Sequence, residues 1–292
     1  MSKLRVAVAT DIHYGFDQRD KLGSKAPALM EQFIKYTGKL KPHPDFVIDI
    51  GDRVNSRDAD DDRKYMQELK SQYNKMAIPL HSVLGNHDIK NLSRADNEQI
   101  MGTPATSYSM DVGNYHFVFW NPDVGYSENG MTVTQADIDW LKKDLAATDK
   151  LTAFFCHMPL YISEDARAEQ EREKGAQNIV SRFSLQEAPQ LRNILSQSGK
   201  VCIAMGGHRH KNCYDLIDGV HYITQQSMTS EYKEKYSMPT GTWSLLEFDD
   251  EEIKIRLYGK ARMRMDGKLR RVYTLETPKA GSMQPPPGDP QP

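Results

Sequence analysis

A chain of 292 residues with 38% hydrophobic and 27% charged residues has the balance of a globular protein that buries a core in one large or two ordinary domains, which excludes a disordered or fibrous chain. Its formal net charge of −2, from 38 Lys and Arg against 40 Asp and Glu, provides no broad basic face, so neither nucleic acid nor an anionic membrane is expected as a partner. Cys156, Cys202 and Cys213 lack the paired spacing of a disulfide framework and the start reaches a charge too early for a secretory leader, so a cytoplasmic location is expected.

In chain order, Leu4 to Ala9 is an apolar run ending at Asp11, and Phe46 to Ile50 is a second ending at Gly51-Asp52; both read as buried parallel strands. Between them, Leu29, Met30, Phe33, Ile34 and Thr37 recur at helical spacing within Ala26 to Leu40. A second crossover follows: Asp58 to Met76 sets Tyr65, Met66, Leu69, Tyr73 and Met76 on one helical side, and Pro79 to Leu84 is a strand stopping at Gly85-Asn86-His87-Asp88. Tyr108 to Val112 and Tyr115 to Trp120, split by Gly113-Asn114, read as a hairpin, and Thr134 caps an amphipathic helix to Leu145.

Leu151 to Cys156 is a further strand ending at His157. Residues 163–184 are dense in charge and read either as an exposed helix and loop or as a lid beside the site. Gln190 to Leu195 resumes as helix and Val201 to Met205 as a strand feeding Gly206-Gly207-His208-Arg209-His210, after which Cys213 to Tyr273 alternates in short runs expected to be antiparallel strands. A single domain over 1–276 and a Pro/Gly-rich disordered tail over 277–292 are expected.

Open α/β sheets bind ligands at the carboxyl ends of their strands, and polar residues gather there five times: Asp11 with His13, Asp52, Asn86 with His87, His157, and His208 with His210. Five of the nine histidines fall in these segments, while His43, His81, His116 and His221 are expected to pack or lie at the surface. Carboxylate, amide oxygen and imidazole form a donor set for Mn, Fe, Zn or Co and lack the thiolates of a structural zinc site. Gly51, Gly85 and Gly207 permit sharp turns or close approach, and in D-x-H and H-x-H an extended backbone would aim both side chains one way.

The ordered set Asp11-Ile12-His13, Gly51-Asp52, Gly85-Asn86-His87-Asp88, His157 and Gly207-His208-Arg209-His210 resembles the calcineurin-like metallophosphoesterase family. The resemblance implies a four-layer αββα sandwich of two mixed sheets, and a dinuclear centre of two divalent or trivalent metal ions. Asp11, His13, Asp52 and His210 would hold one ion, Asp52, Asn86, His157 and His208 the other, with Asp52 shared. Water activated between the metals would attack phosphorus, and His87, as imidazolium, would assist the departing oxygen, oriented by Asp88 or Asn55.

Asn86, Arg53, Arg209 and Tyr14 are further candidates to touch substrate, since Arg recognises phosphate bidentately. The segment Gly51-Asp52-Arg53-Val54-Asn55 and the Asp at position 88 depart from the protein Ser/Thr phosphatases and are more similar to small-molecule phosphodiesterases. A cyclic nucleotide or glycerophosphodiester is therefore favoured among small phosphoesters, with the ADP-ribose and CDP-alcohol diphosphatases as another branch. A scaffold that keeps the fold and binds proteins is the non-enzymatic alternative; the oligomeric state is open.

Overall fold

In the computed structural model, which describes residues 3–127, 130–161, 185–232, 238–249, 251–260, 262–265 and 268–277, β1 (Leu4–Ala9) turns Val6 and Val8 to one side and Ala7 and Ala9 to the other. The period of two dictates this split. The larger residues meet a second sheet, and the small alanines let helices approach from outside.

α1 (Ala26–Thr37), β2 (Phe46–Asp49), α2 (Ala59–Asn74) and β3 (Leu80–Ser82) complete a parallel unit in which β1 pairs with β2 and β2 with β3. Asp58 caps α2 by accepting from the Asp61 amide at 2.9 Å, and three acidic residues in the first turn favour the helix dipole. α3 (Arg94–Met101), unforeseen in the sequence, is opened by a capping box of Ser93 and Asp96.

The hairpin of β4 (Tyr108–Val112) and β5 (Tyr115–Phe119) forms as expected. A second one, β6 (Val124–Ser127) with β7 (Gly130–Val133), escaped the sequence reading because its strands carry little apolar alternation. α4 (Gln135–Ala146) starts at the Thr134 cap, β8 (Leu151–Phe155) follows, and α5 (Ala188–Gln197) precedes β9 (Val201–Gly206).

The strands that complete the two large sheets are β10 (Cys213–Ile217), β11 (Val220–Thr224), β12 (Trp243–Phe248), β13 (Glu252–Tyr258) and β14 (Val272–Glu276). They divide between two six-stranded sheets, ordered β14-β13-β12-β1-β2-β3 and β10-β11-β9-β8-β5-β4. The expectation of antiparallel pairing holds for β12, β13 and β14, but β11 runs parallel to β9 as well as antiparallel to β10.

Between the sheets lies an aromatic-rich core in which Phe46 meets Phe117 edge-to-face, ring centres 5.3 Å apart. The outer face of the first sheet packs on α1 and α2 through Met30, Phe33, Met66 and Leu69, and that of the second on α4 and α5 through Leu141, Leu145, Leu191 and Leu195. The result is four layers, αββα. The expected lid at 163–184 lies outside the described residues, as does all of the expected tail but Thr277.

Candidate metal centre

Both sheets point the carboxyl ends of their central strands to one place. Asp11 and His13 follow β1, Asp52 follows β2 and Asn86 and His87 follow β3, while His157 follows β8 and His208 and His210 follow β9. The loops continue the ladder by backbone hydrogen bonds, Asp11 N–H to the Gly51 carbonyl at 2.9 Å and Gly207 N–H to that of His157 at 3.0 Å. At Gly207 a Cβ would stand 2.3 Å from an Asp11 carboxylate oxygen, and at Gly85 2.2 Å from one of Asp52, so only glycine admits these carboxylates.

The extended D-x-H and H-x-H expected from the sequence are not what aims the ligands. Asp11, His13, Asp52, His208 and His210 all adopt left-handed backbone, with φ of 49°, 46°, 55°, 66° and 54°. Each strand ends before its ligands, and the left-handed residue swings the side chain into the gap between the sheets.

Donor atoms of Asp11, His13, Asp52 and His210 lie within 4.8 Å of one another, as do those of Asp52, His157 and His208, so each group could hold a metal ion. Asp52 belongs to both: Oδ2 is 3.7 Å from His13 Nε2 and Oδ1 is 3.4 Å from His157 Nε2. His210 Nε2 lies 3.1 Å from Asp11 Oδ1 and 3.0 Å from His13 Nε2. The buried Asn86 Oδ1 has no hydrogen-bond partner among the described residues, an orphan acceptor that a metal would satisfy.

Supporting hydrogen bonds orient the imidazoles. His157 Nδ1–H donates to the Ile50 carbonyl at 2.7 Å, which leaves Nε2 facing Asp52. Ser230 Oγ is 2.8 Å from His210 Nδ1, and Ser227 donates to the Asp11 carbonyl at 2.7 Å. The polar run after β11 supplies this shell; the sequence reading missed it because hydroxyls carry no metal-ligand signature.

Burial alone would disfavour the Asp52 carboxylate, but His157, through its charge and its hydrogen bond, holds its pKa well below the usual value. Burial likewise opposes charge on His157, yet Asp52 and then Asp11 push it up to about 9; burial and the His157 charge take His208 down to about 3.

Neither Asp88 nor Asn55 orients His87. Asp88 accepts from the amides of Gly85, Asp52 and Arg53, and Asn55 Nδ2 donates to the Phe16 carbonyl at 2.6 Å. Instead Ser56 Oγ lies 2.6 Å from His87 Nδ1, and Lys21 Nζ lies 2.9 Å from Nε2. Lys21 was not anticipated: it sits on a short hairpin paired through Ser230, outside every motif. An ammonium donates only, so Nε2 accepts and the ring is neutral. Burial, chiefly, and the Lys21 charge keep the His87 pKa low, and bound cations would act in the same direction.

Two candidate substrate contacts are corrected. Arg53 is 0% exposed, with Nη1 on Asp88 at 3.0 Å and Nη2 on the Val83 carbonyl at 2.8 Å; it braces the turn from behind. Tyr14 packs into the α1–α2 side of the first sheet against Tyr65. Arg209 is largely buried between the two ligand histidines, and its charge helps keep His208 neutral. His81 stacks on Phe119, His221 bridges Tyr214 and the Glu276 carbonyl, and neither joins the site.

Residues 4–212 match the calcineurin-like phosphoesterase family. The chain belongs to that family. This calcineurin-like phosphoesterase is 29% identical over 144 residues to the serine/threonine-protein phosphatase CPPED1 of Rattus norvegicus, an alignment covering 46% of each chain, so it spans about half the length of that relative. Its fold superposes on a dimetal phosphatase from Danio rerio with a TM-score of 0.71 at 13% identity, over 94% of this chain and 99% of the other. The purple acid phosphatase PPD1 of yellow lupin gives a TM-score of 0.60 at 15% identity, over 94% and 54%. No helix among the described residues is long and apolar enough to cross a membrane.

Proposed function

We propose that this phosphoesterase hydrolyses a small phosphomonoester at a pair of metal ions. Asp11, His13, Asp52 and His210 would hold one ion and Asp52, Asn86, His157 and His208 the other, a donor set that suits Mn, Fe, Zn or Co. When bound, such a pair supplies Lewis acidity and an activated water at neutral pH. The observation that carries this reading is the single Asp52 carboxylate facing His13 through one oxygen and His157 through the other.

The chain's own residues do the rest. Lys21 brings a cation to the His87 side of the site and Arg209 lies among the ligand histidines, both able to neutralise phosphate charge. The proton that the departing oxygen needs sits on Lys21 Nζ, hydrogen-bonded to His87 Nε2, and either group can deliver it. A dianionic monoester gains more from this extra cation than a diester does. The lean to phosphodiesters rested on the resemblance of Gly51-Asp52-Arg53-Val54-Asn55 and Asp88; within that segment the Asn55 amide is held by the Phe16 carbonyl, and the rat relative is named a protein phosphatase, which agrees with monoester chemistry.

The test is a substrate panel with Mn²⁺, comparing phosphomonoesters, cyclic nucleotides, glycerophosphodiesters and nucleoside diphosphate sugars, on the wild type and on Asp52→Ala. Monoesters turn over fastest, and Asp52→Ala loses both metals and about 10³-fold or more in kcat/KM, since a metal pair contributes several kcal/mol. Near-normal turnover by Asp52→Ala contradicts the shared ligand. A faster diester or diphosphate moves the substrate class, and an inert wild type after Mn²⁺ addition favours the scaffold.

A further inference from the structure

A cavity of about 480 Å³ opens on the helix side of the first sheet, and none of the candidate metal ligands lines it. Its size falls in the range of roughly 300–1,000 Å³ that small-molecule sites occupy. α1 forms one wall with Gln32, Phe33 and Tyr36, while Trp243 on β12 and Tyr258 on β13 form another. Backbone contacts close the remainder: Lys260 N–H donates to the Thr240 carbonyl at 2.8 Å, and a Cβ at Gly259, where φ is 89°, would stand 2.5 Å from the Gly241 carbonyl oxygen. That close approach fixes the root of Lys260 on the cavity wall.

Trp243 and Tyr258 are cross-strand partners whose rings stack 3.8 Å apart and 2° from parallel, and Phe33 meets the indole edge-to-face at 5.1 Å. One face of the half-exposed Tyr258 ring is therefore covered, and the opposite face is the one open to a ligand. Tyr36 lines the same cavity with 56% of its surface exposed. Lys260 and Arg271 add two positive charges, neither in an ion pair among the described residues, and no described residue of the lining is acidic. A cleft lined by one sign of charge concentrates the opposite one.

We infer that this cavity binds a nucleotide, its base against Tyr36 and Tyr258 and its phosphate on Lys260 and Arg271. Base faces stack on aromatic side chains whatever the base, and guanidinium and ammonium groups recognise phosphate. The Gln32 amide, which makes no hydrogen bond among the described residues, offers both a donor and an acceptor to a base edge. Inorganic phosphate would use only the cations and a nucleoside only the rings; a nucleotide uses both. The site is separate from the metal centre, and its occupant does not depend on what that centre hydrolyses.

Calorimetric titration of the full chain in EDTA, where the centre offers no metal to a phosphate, compares adenosine monophosphate with adenosine and inorganic phosphate. The nucleotide binds at one site and at least about fivefold tighter than either fragment, the lower end of what one base–aromatic stack contributes. Tyr36→Ala weakens the nucleotide severalfold and leaves phosphate unchanged, whereas Arg271→Gln weakens both by about tenfold, the worth of a charge-assisted hydrogen bond. Both side chains are exposed, so the variants are expected to melt with the wild type; should Arg271→Gln melt lower, Lys260→Gln replaces it with the same expectation. No saturable nucleotide binding at millimolar concentration, a nucleotide bound no tighter than phosphate, or an affinity indifferent to either substitution overturns the inference.

Discussion

Asp11, His13, Asp52, His208 and His210 share a backbone conformation that few non-glycine residues adopt, and Asp and His are among those that tolerate it best. Left-handed φ at a side-chain-bearing residue costs on the order of 1–2 kcal/mol. Its concentration on one set of ligands means the surrounding packing holds the site in shape before any ion arrives. At this scale His87 and Lys21 separate from the ligands. His87→Ala is expected to lower kcat by about 10² to 10⁴ with metal content by elemental analysis intact; loss of metal would make His87 a ligand. Lys21→Met is expected to lower kcat/KM by about 10- to 100-fold, the worth of a charge-assisted hydrogen bond, again with metals retained. A Lys21→Met enzyme with wild-type kcat/KM removes Lys21 from the chemistry.

Elements reach the site through their ends, so the rigidity of strands and loops sets its precision. Arg53 and Asp88 tie the loops after β2 and β3 together from beneath, which is how a residue beside a ligand serves the site without touching substrate. On the far side of the second sheet, His116 on β5 bridges Asp111 on β4 at 2.7 Å and Asp144 on α4 at 3.0 Å. Asp144 first, and then Asp111 against the opposing effect of burial, raise the His116 pKa above its usual value. A raised folded-state pKa contributes stability that is complete below the unfolded value of about 6.5 and is lost as pH climbs through the folded one. Thermal melts should therefore fall from pH 6 to pH 8, and His116→Gln should flatten that slope and cost about 1 kcal/mol at pH 6. A slope unchanged by His116→Gln would show that the bridge carries no charge.

For the whole molecule, the centre is a clasp between two sheets: the first supplies Asp11, His13, Asp52 and Asn86, the second His157, His208 and His210. Ions bound there hold the halves together and stabilise only the folded chain. At metal concentrations about a hundredfold above Kd, mass action contributes about 2.7 kcal/mol for each ion, or roughly 5–10 °C in Tm per ion for a chain of this size. Differential scanning calorimetry with EDTA and with Mn²⁺ measures it, and Asp52→Ala should erase the difference. An equal Tm with and without metal would mean that the ligands do not bridge the sheets through an ion.

The fold class and the residues that gather at the candidate centre were legible in the sequence because both are written locally. Runs such as Leu4 to Ala9 announce a strand by composition, and Asp, Asn and His placed just beyond it announce its carboxyl end. What could not be read locally was whatever depends on distant chain meeting: the pairing of β12 beside β1, the left-handed turns that aim the candidate ligands, Lys21 at His87, and Ser230 behind His210. Arg53 and Tyr14 show the same limit from the other direction. Adjacency to a ligand put them near the site in sequence, but which way a side chain leaves the backbone is decided by φ and by the space packing leaves, and both residues turn inward to the core. Chemistry of the ligands is a property of residue type; direction and partner are properties of the packed chain.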